Sequence, residues 1–183
     1  MNFFQKLKQR YSINVFRKRT RRVVFSHDFV DLEKAKTIGF IIHMNQYNSK
    51  DLIVLTDYIT KLEDHGKQVV LIEINLRRKS EPMFIDTIKS IFINPTHISW
   101  TGIPSLSKMQ EINYSRPDIL INLDTSDNLT SKFICGLSNA KTRAGIAKQG
   151  MEMFYELILQ LPEDTKLKTL LQQFEHFLKE IEK

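Results

Sequence analysis

TIGFIIHMNQYNSKDLIVLTDYITKLEDHGKQVVLIEI, residues 37–74, is the stretch that decides the fold. It opens on Thr37 to His43, a short apolar run suited to a buried strand. Asp51 to His65 follows, with Leu52, Leu55, Ile59 and Leu62 recurring on one helical face. Gly66 stands where such a helix stops. Gln68 to Ile74 is then a second apolar run, rich in β-branched residues. Two strands that are apolar on both faces and separated by a helix form a parallel pair, which needs cover on each side.

The same alternation continues toward the C-terminus. After an irregular connection from Arg77 to Pro82, Ser90 to Ile93 reads as a third strand. The segment with Trp100, Gly102 and Pro104 reads as a turn, with Trp100 expected to anchor that turn to the core. Ser107 to Ile112 is a short helix, Pro117 to Leu123 a strong strand, and Leu129 to Leu137 a helix. Lys141 to Ile146 and Met153 to Leu159 read as strands. A closing helix places Leu167, Leu170, Leu171, Phe174, Leu178 and Ile181 at helical spacing, behind Asp164 as its expected cap. The expected fold class is α/β: a single Rossmann-like three-layer sandwich, its sheet mostly parallel, five or six strands wide and centred on Ile119 and Ile121. A chain of 183 residues suits one such domain.

Working back from Thr37, the character of the chain changes at a charge boundary. Residues 1–22 hold Lys6, Lys8, Arg10, Arg17, Lys18, Arg19, Arg21 and Arg22 and no carboxylate; the first is Asp28. Taking those 8 from the 27 basic side chains leaves 19 against 21 acidic ones, so the net charge of +6 is a +8 arm on a body of about −2. The expected organisation is therefore a basic amphipathic arm at residues 1–22 and an α/β domain at 23–183. Within the arm Phe4, Leu7, Tyr11 and Val15 fall on one stripe, with Phe3 beside them, so residues 2–16 are expected to form an amphipathic helix. Three destinations stand open for that stripe: its own domain, an anionic membrane surface, or RNA, whose phosphates suit the cluster Arg17 to Arg22.

No apolar run has the roughly 18–20 residues that cross a bilayer, so no transmembrane segment is expected. The charges at Arg17, Lys18 and Arg19 interrupt the place of a signal-peptide core; the acid-poor, Arg-rich start leaves an organellar transit peptide as an alternative, against which the low serine content counts. A single cysteine, Cys135, excludes an intramolecular disulfide framework and fits a reducing compartment. Its neighbours Phe133, Ile134 and Leu137 make it a buried, inert thiol.

In parallel α/β sheets ligands bind beyond the carboxyl ends of the strands, where the strand order reverses. Two strand-end loops offer chemistry. The first runs from His43 through Asn45, Gln46, Tyr47 and Asn48 to Lys50 and Asp51, where helix-start amides are able to receive an anion. It contains no glycine, and neither a dinucleotide fingerprint nor a P-loop is present. His43 reads first as a histidine packed at a strand end, and second as a catalytic candidate, with Lys50 as a binding candidate. The second loop is Asp124, Thr125, Ser126, Asp127 and Asn128. Such a cluster suits Mg²⁺ with a substrate phosphate, but Asp127 or Asn128 capping the next helix accounts for most of it. Asp124 is thus a catalytic candidate and Asp127 a binding one. The histidines at 27, 43, 65, 97 and 176 lack metal-ligand spacing, so neither a metal nor a cofactor is expected. No Ser, His and Asp set and no Gly-x-Ser-x-Gly elbow can be assembled.

Ile98-Ser99-Trp100 with Gly102 and Pro104, then Pro117 to Leu123, then Leu137 to Gly145, resemble an uncharacterised family of small bacterial α/β proteins whose layout is a basic N-terminal helix followed by one α/β domain. The resemblance covers nearly the whole chain, implies this fold and a cytoplasmic setting, and implies no reaction. Asp118, Ile121, Leu123, Ala140, Arg143 and Gly145 are also similar to the acceptor half of heptosyltransferase-like glycosyltransferases. There Asn122 stands in place of an expected carboxylate, and the second Rossmann domain, which holds the donor, is missing.

Two function classes follow. The favoured one is a non-catalytic binding or interaction module whose arm contacts an anionic partner, in the cytoplasm or peripherally at a membrane. The alternative is a small nucleotide- or sugar-phosphate-binding enzyme that uses the strand-end cleft.

Overall fold

The computed structural model describes residues 3–20, 29–77, 89–126, 128–147, 154–162 and 164–180. In chain order these form α1 (Phe3–Thr20), β1 (Thr37–His43), α2 (Ser49–Asp64), β2 (Gln68–Ile74), β3 (Ser90–Ile93), α3 (Leu106–Tyr114), β4 (Ile119–Asn122), α4 (Leu129–Leu137), β5 (Thr142–Ile146), β6 (Leu157–Leu159) and α5 (Leu167–Glu180). The strands make one six-stranded sheet in the order β3-β2-β1-β4-β5-β6. Every pairing is parallel. The chain thus lays β2 and β3 to one side of β1, then returns to lay β4, β5 and β6 on the other, which puts the switch point between β1 and β4.

Alternation along each strand divides the core into two layers. From β1, Ile38, Phe40 and Ile42 enter one layer with Leu55 and Ile59 of α2 and Leu170, Leu171, Phe174 and Leu178 of α5. Ile41 faces the other, with Met109 and Ile112 of α3 and Phe133 to Leu137 of α4. Ile119 and Ile121 are buried in β4 at the middle of the sheet, as expected. Helix α2 stops at Gly66, whose φ of +76° is the left-handed conformation glycine adopts without strain. The Gly66 N–H donates to the Glu63 carbonyl and the Lys67 N–H to that of Leu62, closing a Schellman motif.

Where the chain enters three strands, Asp118 ties them together. Its carboxylate accepts the N–H groups of Lys36 at 2.8 Å and Thr37 at 3.1 Å, and pairs with Lys141 at 3.0 Å. Two expectations are corrected. The strand expected from Met153 shrinks to Leu157–Leu159, because Phe154 and Tyr155 turn their rings into the α4-side layer. Asp164 does not cap the closing helix: the Lys166 carbonyl takes the Leu170 N–H, so the helix begins two residues later and Asp164 stays in the exposed preceding turn.

The N-terminal helix lies against the body. Phe16, 2% exposed, stacks on Phe133 of α4 with ring centroids 5.3 Å apart and meets Phe154 at 4.5 Å. Gly136 makes this possible, since a Cβ there would come within 2.6 Å of the Phe16 ring. One turn earlier the buried Ser12 hydroxyl shares its hydrogen between the Lys8 carbonyl of its own helix at 2.7 Å and the Thr101 carbonyl of the body at 3.0 Å. The expected apolar stripe is therefore not the docking face. Leu7 and Tyr11 are 55% and 52% exposed, and only Val15 of the described part of the stripe packs against the core. The arm–body boundary expected at residues 22 and 23 lies outside the described residues.

Candidate functional site

The switch point brings the two sequence-predicted loops side by side. Ile41 pairs with Asn122, and two residues further along the same register place His43 level with Asp124, both on the α4 side of the sheet. His43 is 9% exposed and Asp124 is 6% exposed.

Asp124 is fully committed within the protein. One carboxylate oxygen accepts Gln46 Nε2 at 2.6 Å, the Ser126 N–H at 2.8 Å and the Ser126 hydroxyl at 2.6 Å. The other accepts the Ser131 hydroxyl at 2.6 Å. Gln46 completes the clasp by accepting the Thr125 N–H through Oε1 at 3.0 Å. Beside it the Tyr47 hydroxyl donates to the Leu123 carbonyl. Burial, and after it the nearby Asp124 charge, push the Tyr47 hydroxyl well above its ordinary pKa, which keeps it a donor. Two side chains of the first loop thus bolt the second loop down across the crevice where a dinucleotide lies in nucleotide-binding sheets.

The amides expected to receive an anion are likewise engaged. Asn48 caps α2 by accepting from the N–H groups of Lys50 and Asp51, while Asp51 accepts the Asn48 N–H in return. Asn128 caps α4 through the Thr130 N–H. Lys50 is exposed in the first turn of α2, and Asp127 lies outside the described residues. Asn122 links inward, donating to the Tyr155 hydroxyl at 2.7 Å and accepting the Asp124 N–H at 3.0 Å. Arg143 is buried and paired with Glu156, its Nε 2.8 Å from a carboxylate oxygen. Cys135 is wholly buried, and burial drives its thiol pKa far up, so no thiolate is presented.

His43 contrasts with all of these. Neither ring nitrogen has a hydrogen-bond partner. Its strand-end burial is as read from the sequence, but its two unmet polar atoms carried no sequence signal.

A second surface was missed by sequence reasoning. Trp100 does not anchor its turn to the core: it is 68% exposed and stacks on Tyr11 at 5.4 Å and 23°. The turn itself is tied internally. The Gly102 N–H donates to the Ser99 carbonyl and the Ser99 N–H to that of Ile103. The Ser99 and Thr101 hydroxyls lie 2.7 Å apart, and Gly102 follows with a φ of +84°. Such a turn holds its second residue, Trp100, at the tip. Lys8, Arg10, Arg17 and Lys18 are exposed along the docked helix. The side chains of Lys6 and Arg19, and Arg21 and Arg22 altogether, lie outside the described residues. Elsewhere, a groove of about 330 Å³ runs between α2 and α5 past Val54, Tyr58 and Leu171. The Lys61–Glu175 ion pair at 3.2 Å lies within it.

The model of a family of unknown function, DUF6913, matches residues 8–181. The chain belongs to that family. The match starts inside α1, so the docking residues Ser12 and Phe16 fall within the family's span. The expectation of an uncharacterised α/β family is met, and the family brings no reaction with it. No curated protein matches the chain, and the heptosyltransferase-like similarity is not shown. Among the described residues no helix is long and apolar enough to cross a membrane, and no group of three or more His, Cys, Asp or Glu side chains is placed to hold a metal ion.

Proposed function

We propose that the protein is a non-catalytic interaction module in which the α/β body holds a basic helix ready for an anionic partner. The observation that carries this is the division of labour on α1. Ser12 and Phe16 fix the helix to the body, while Lys8, Arg10, Arg17 and Lys18 stay exposed on a helix that contains no acidic residue. A rigidly mounted row of cations contacts a polyanion without first ordering a free arm. The clasp of Gln46 on Asp124 supports the non-catalytic part, because it fills the loop crossing with the protein's own hydrogen bonds.

The test is salt-dependent binding of the full chain to polyanions, presented both as anionic liposomes and as RNA. Binding to at least one should weaken steeply between about 50 and 200 mM salt, and a K8E/R10E/K18E variant with an unchanged melting temperature should lose it. If that variant binds as tightly as the wild type, the cations are only a solvated face.

His43 favours a second reading, in which the strand-end cleft takes a small polar ligand. Two buried, unpartnered nitrogens are costly unless something meets them. A melting-temperature panel of nucleotides, sugar nucleotides and Mg²⁺ tests it, since a ligand at 100 times its Kd adds about 2.7 kcal/mol. A ligand that stabilises the wild type but not His43→Leu would favour this reading. No response in the wild type, with His43→Leu as stable as the wild type or more so, would leave His43 a packed strand-end residue.

A further inference from the structure

We infer that Leu7 and Tyr11 of α1, together with Trp100, form the surface that seats this protein on an anionic lipid bilayer; this rests on the reading of α1 as a polyanion contact and names its partner. Single exposed apolar residues are ordinary on any protein. These three are contiguous. Leu7 and Tyr11 lie one helical turn apart on the same side of α1, and Tyr11 stacks on Trp100, which comes from a turn far away in sequence. The body therefore does not cover this part of the apolar stripe but extends it with a third large side chain. The arrangement is held from both sides: the Ser12 hydroxyl joins α1 to the Trp100 turn through the Thr101 carbonyl, and that turn is closed by its own hydrogen bonds.

The chemistry of the surface selects among occupants. Trp and Tyr place an apolar ring and a polar tip at the level of lipid headgroups, and Leu7 adds an aliphatic group that gains from the acyl boundary. Lys8 and Arg10, exposed beside them, meet the negative potential of anionic headgroups. Apolar insertion and electrostatic attraction are the two signals that stable peripheral binding requires. A nucleic acid would use the cations and one ring face, but Leu7 offers its bases no stacking surface. A second copy of the chain would bring an equally basic helix against this one, and like charges oppose that pairing.

Trp100 is the only tryptophan in the chain, so its fluorescence reports this surface directly. The full chain is titrated with phosphatidylcholine vesicles, with vesicles also containing phosphatidylglycerol, and with the latter carrying brominated acyl chains. The expected result is a shift of emission to shorter wavelength with the anionic vesicles only, and quenching by the brominated lipid. L7S/Y11S, folded with an unchanged melting temperature, should bind anionic vesicles about tenfold more weakly or worse. Salt-sensitive vesicle binding without an emission shift or quenching would overturn the inference and leave the polyanion reading standing, as would binding to RNA but not to vesicles. An emission shift that follows protein concentration in the absence of lipid would overturn it in favour of self-association. No binding to vesicles or RNA at low salt would overturn both.

Discussion

Helices α1 and α5 both carry an apolar periodicity, and the protein treats them in opposite ways. In α5, Leu167, Leu170, Leu171, Phe174 and Leu178 are all buried, so the stripe read from the sequence is the face that packs as far as Leu178; Ile181 lies outside the described residues. In α1 the stripe divides. Leu7 and Tyr11 remain exposed, and the docking contacts come from Ser12 and Phe16, which the stripe does not include. A helical pattern states that a face is apolar; it does not state which surface will cover it. Where the protein's own core supplies the cover, the pattern is structural. Where apolar and cationic residues remain outside together, the fold supplies no cover, and the partner proposed above would supply it.

The sharpest way to break this comparison is at Phe174, which is completely buried. Phe174→Ala should destabilise the protein by about 3–5 kcal/mol, and chemical denaturation measures it. A loss below about 0.5 kcal/mol, the scale of surface changes, would mean that α5 does not close the core.

Next in size is Asp118, which holds the strand starts of the body independently of either terminal helix. Burial pushes its carboxyl up, but the amides of Lys36 and Thr37 and the Lys141 ammonium together outweigh it, so its pKa lies below the ordinary value. A depressed folded pKa gives stability that is present above the unfolded value of about 3.9 and is lost as pH falls through the folded value. Asp118→Ala should cost about 1–3 kcal/mol at pH 7. Denaturation curves of variant and wild type should converge below about pH 4. A gap that stays constant through that range would assign the loss to packing.

Gly136→Ala tests the mounting of α1. The new Cβ would lie 2.6 Å from the Phe16 ring and 2.8 Å from that of Phe154. Overpacking costs about 1–3 kcal/mol, and the better helix propensity of alanine returns about 1 kcal/mol. The net loss of global stability should therefore be small, about 0–2 kcal/mol, while limited proteolysis within α1 should accelerate. Unchanged proteolysis would show that the helix is held without this close approach.

The smallest effect belongs to the exposed part of the stripe. Leu7→Ser and Tyr11→Ser should each move stability by less than about 0.5 kcal/mol. A larger thermal shift in either would make the α1 surface structural and bring α1 and α5 back into one class.

Most of the sheet was legible because its strands are buried on both faces and so read as continuous apolar runs. The spans Thr37–His43, Gln68–Ile74 and Ser90–Ile93 emerge with the expected ends, as does the helix Leu129–Leu137 capped by Asn128. The clasp was not legible. Gln46 and Asp124 stand 78 residues apart, and nothing in either loop says that an amide side chain will cross to a carboxylate. Trp100 was misread because large aromatics beside turns usually pack inward, and only the closed hydrogen bonding of the turn shows it held outward. The docking of α1 left one usable trace. A glycine inside a buried helix, Gly136, marks a position where another group approaches closely, and that group is Phe16.

The two terminal helices also cross over. Helix α1 leads into the β1–β2–β3 half of the sheet but docks on α4, in the later half. Helix α5 follows the β4–β5–β6 half but shares its core layer with α2, in the earlier one. During synthesis the apolar side of α2 must therefore wait for the last helix to emerge. At about 5–20 residues per second, the wait from the end of α2 at Asp64 to the end of α5 at Glu180 lasts roughly 6–23 s. Each half of this protein is covered by the helix that adjoins the other, so a nascent chain stopped before Leu167 leaves the apolar side of α2 without the cover that Leu170, Leu171 and Phe174 supply.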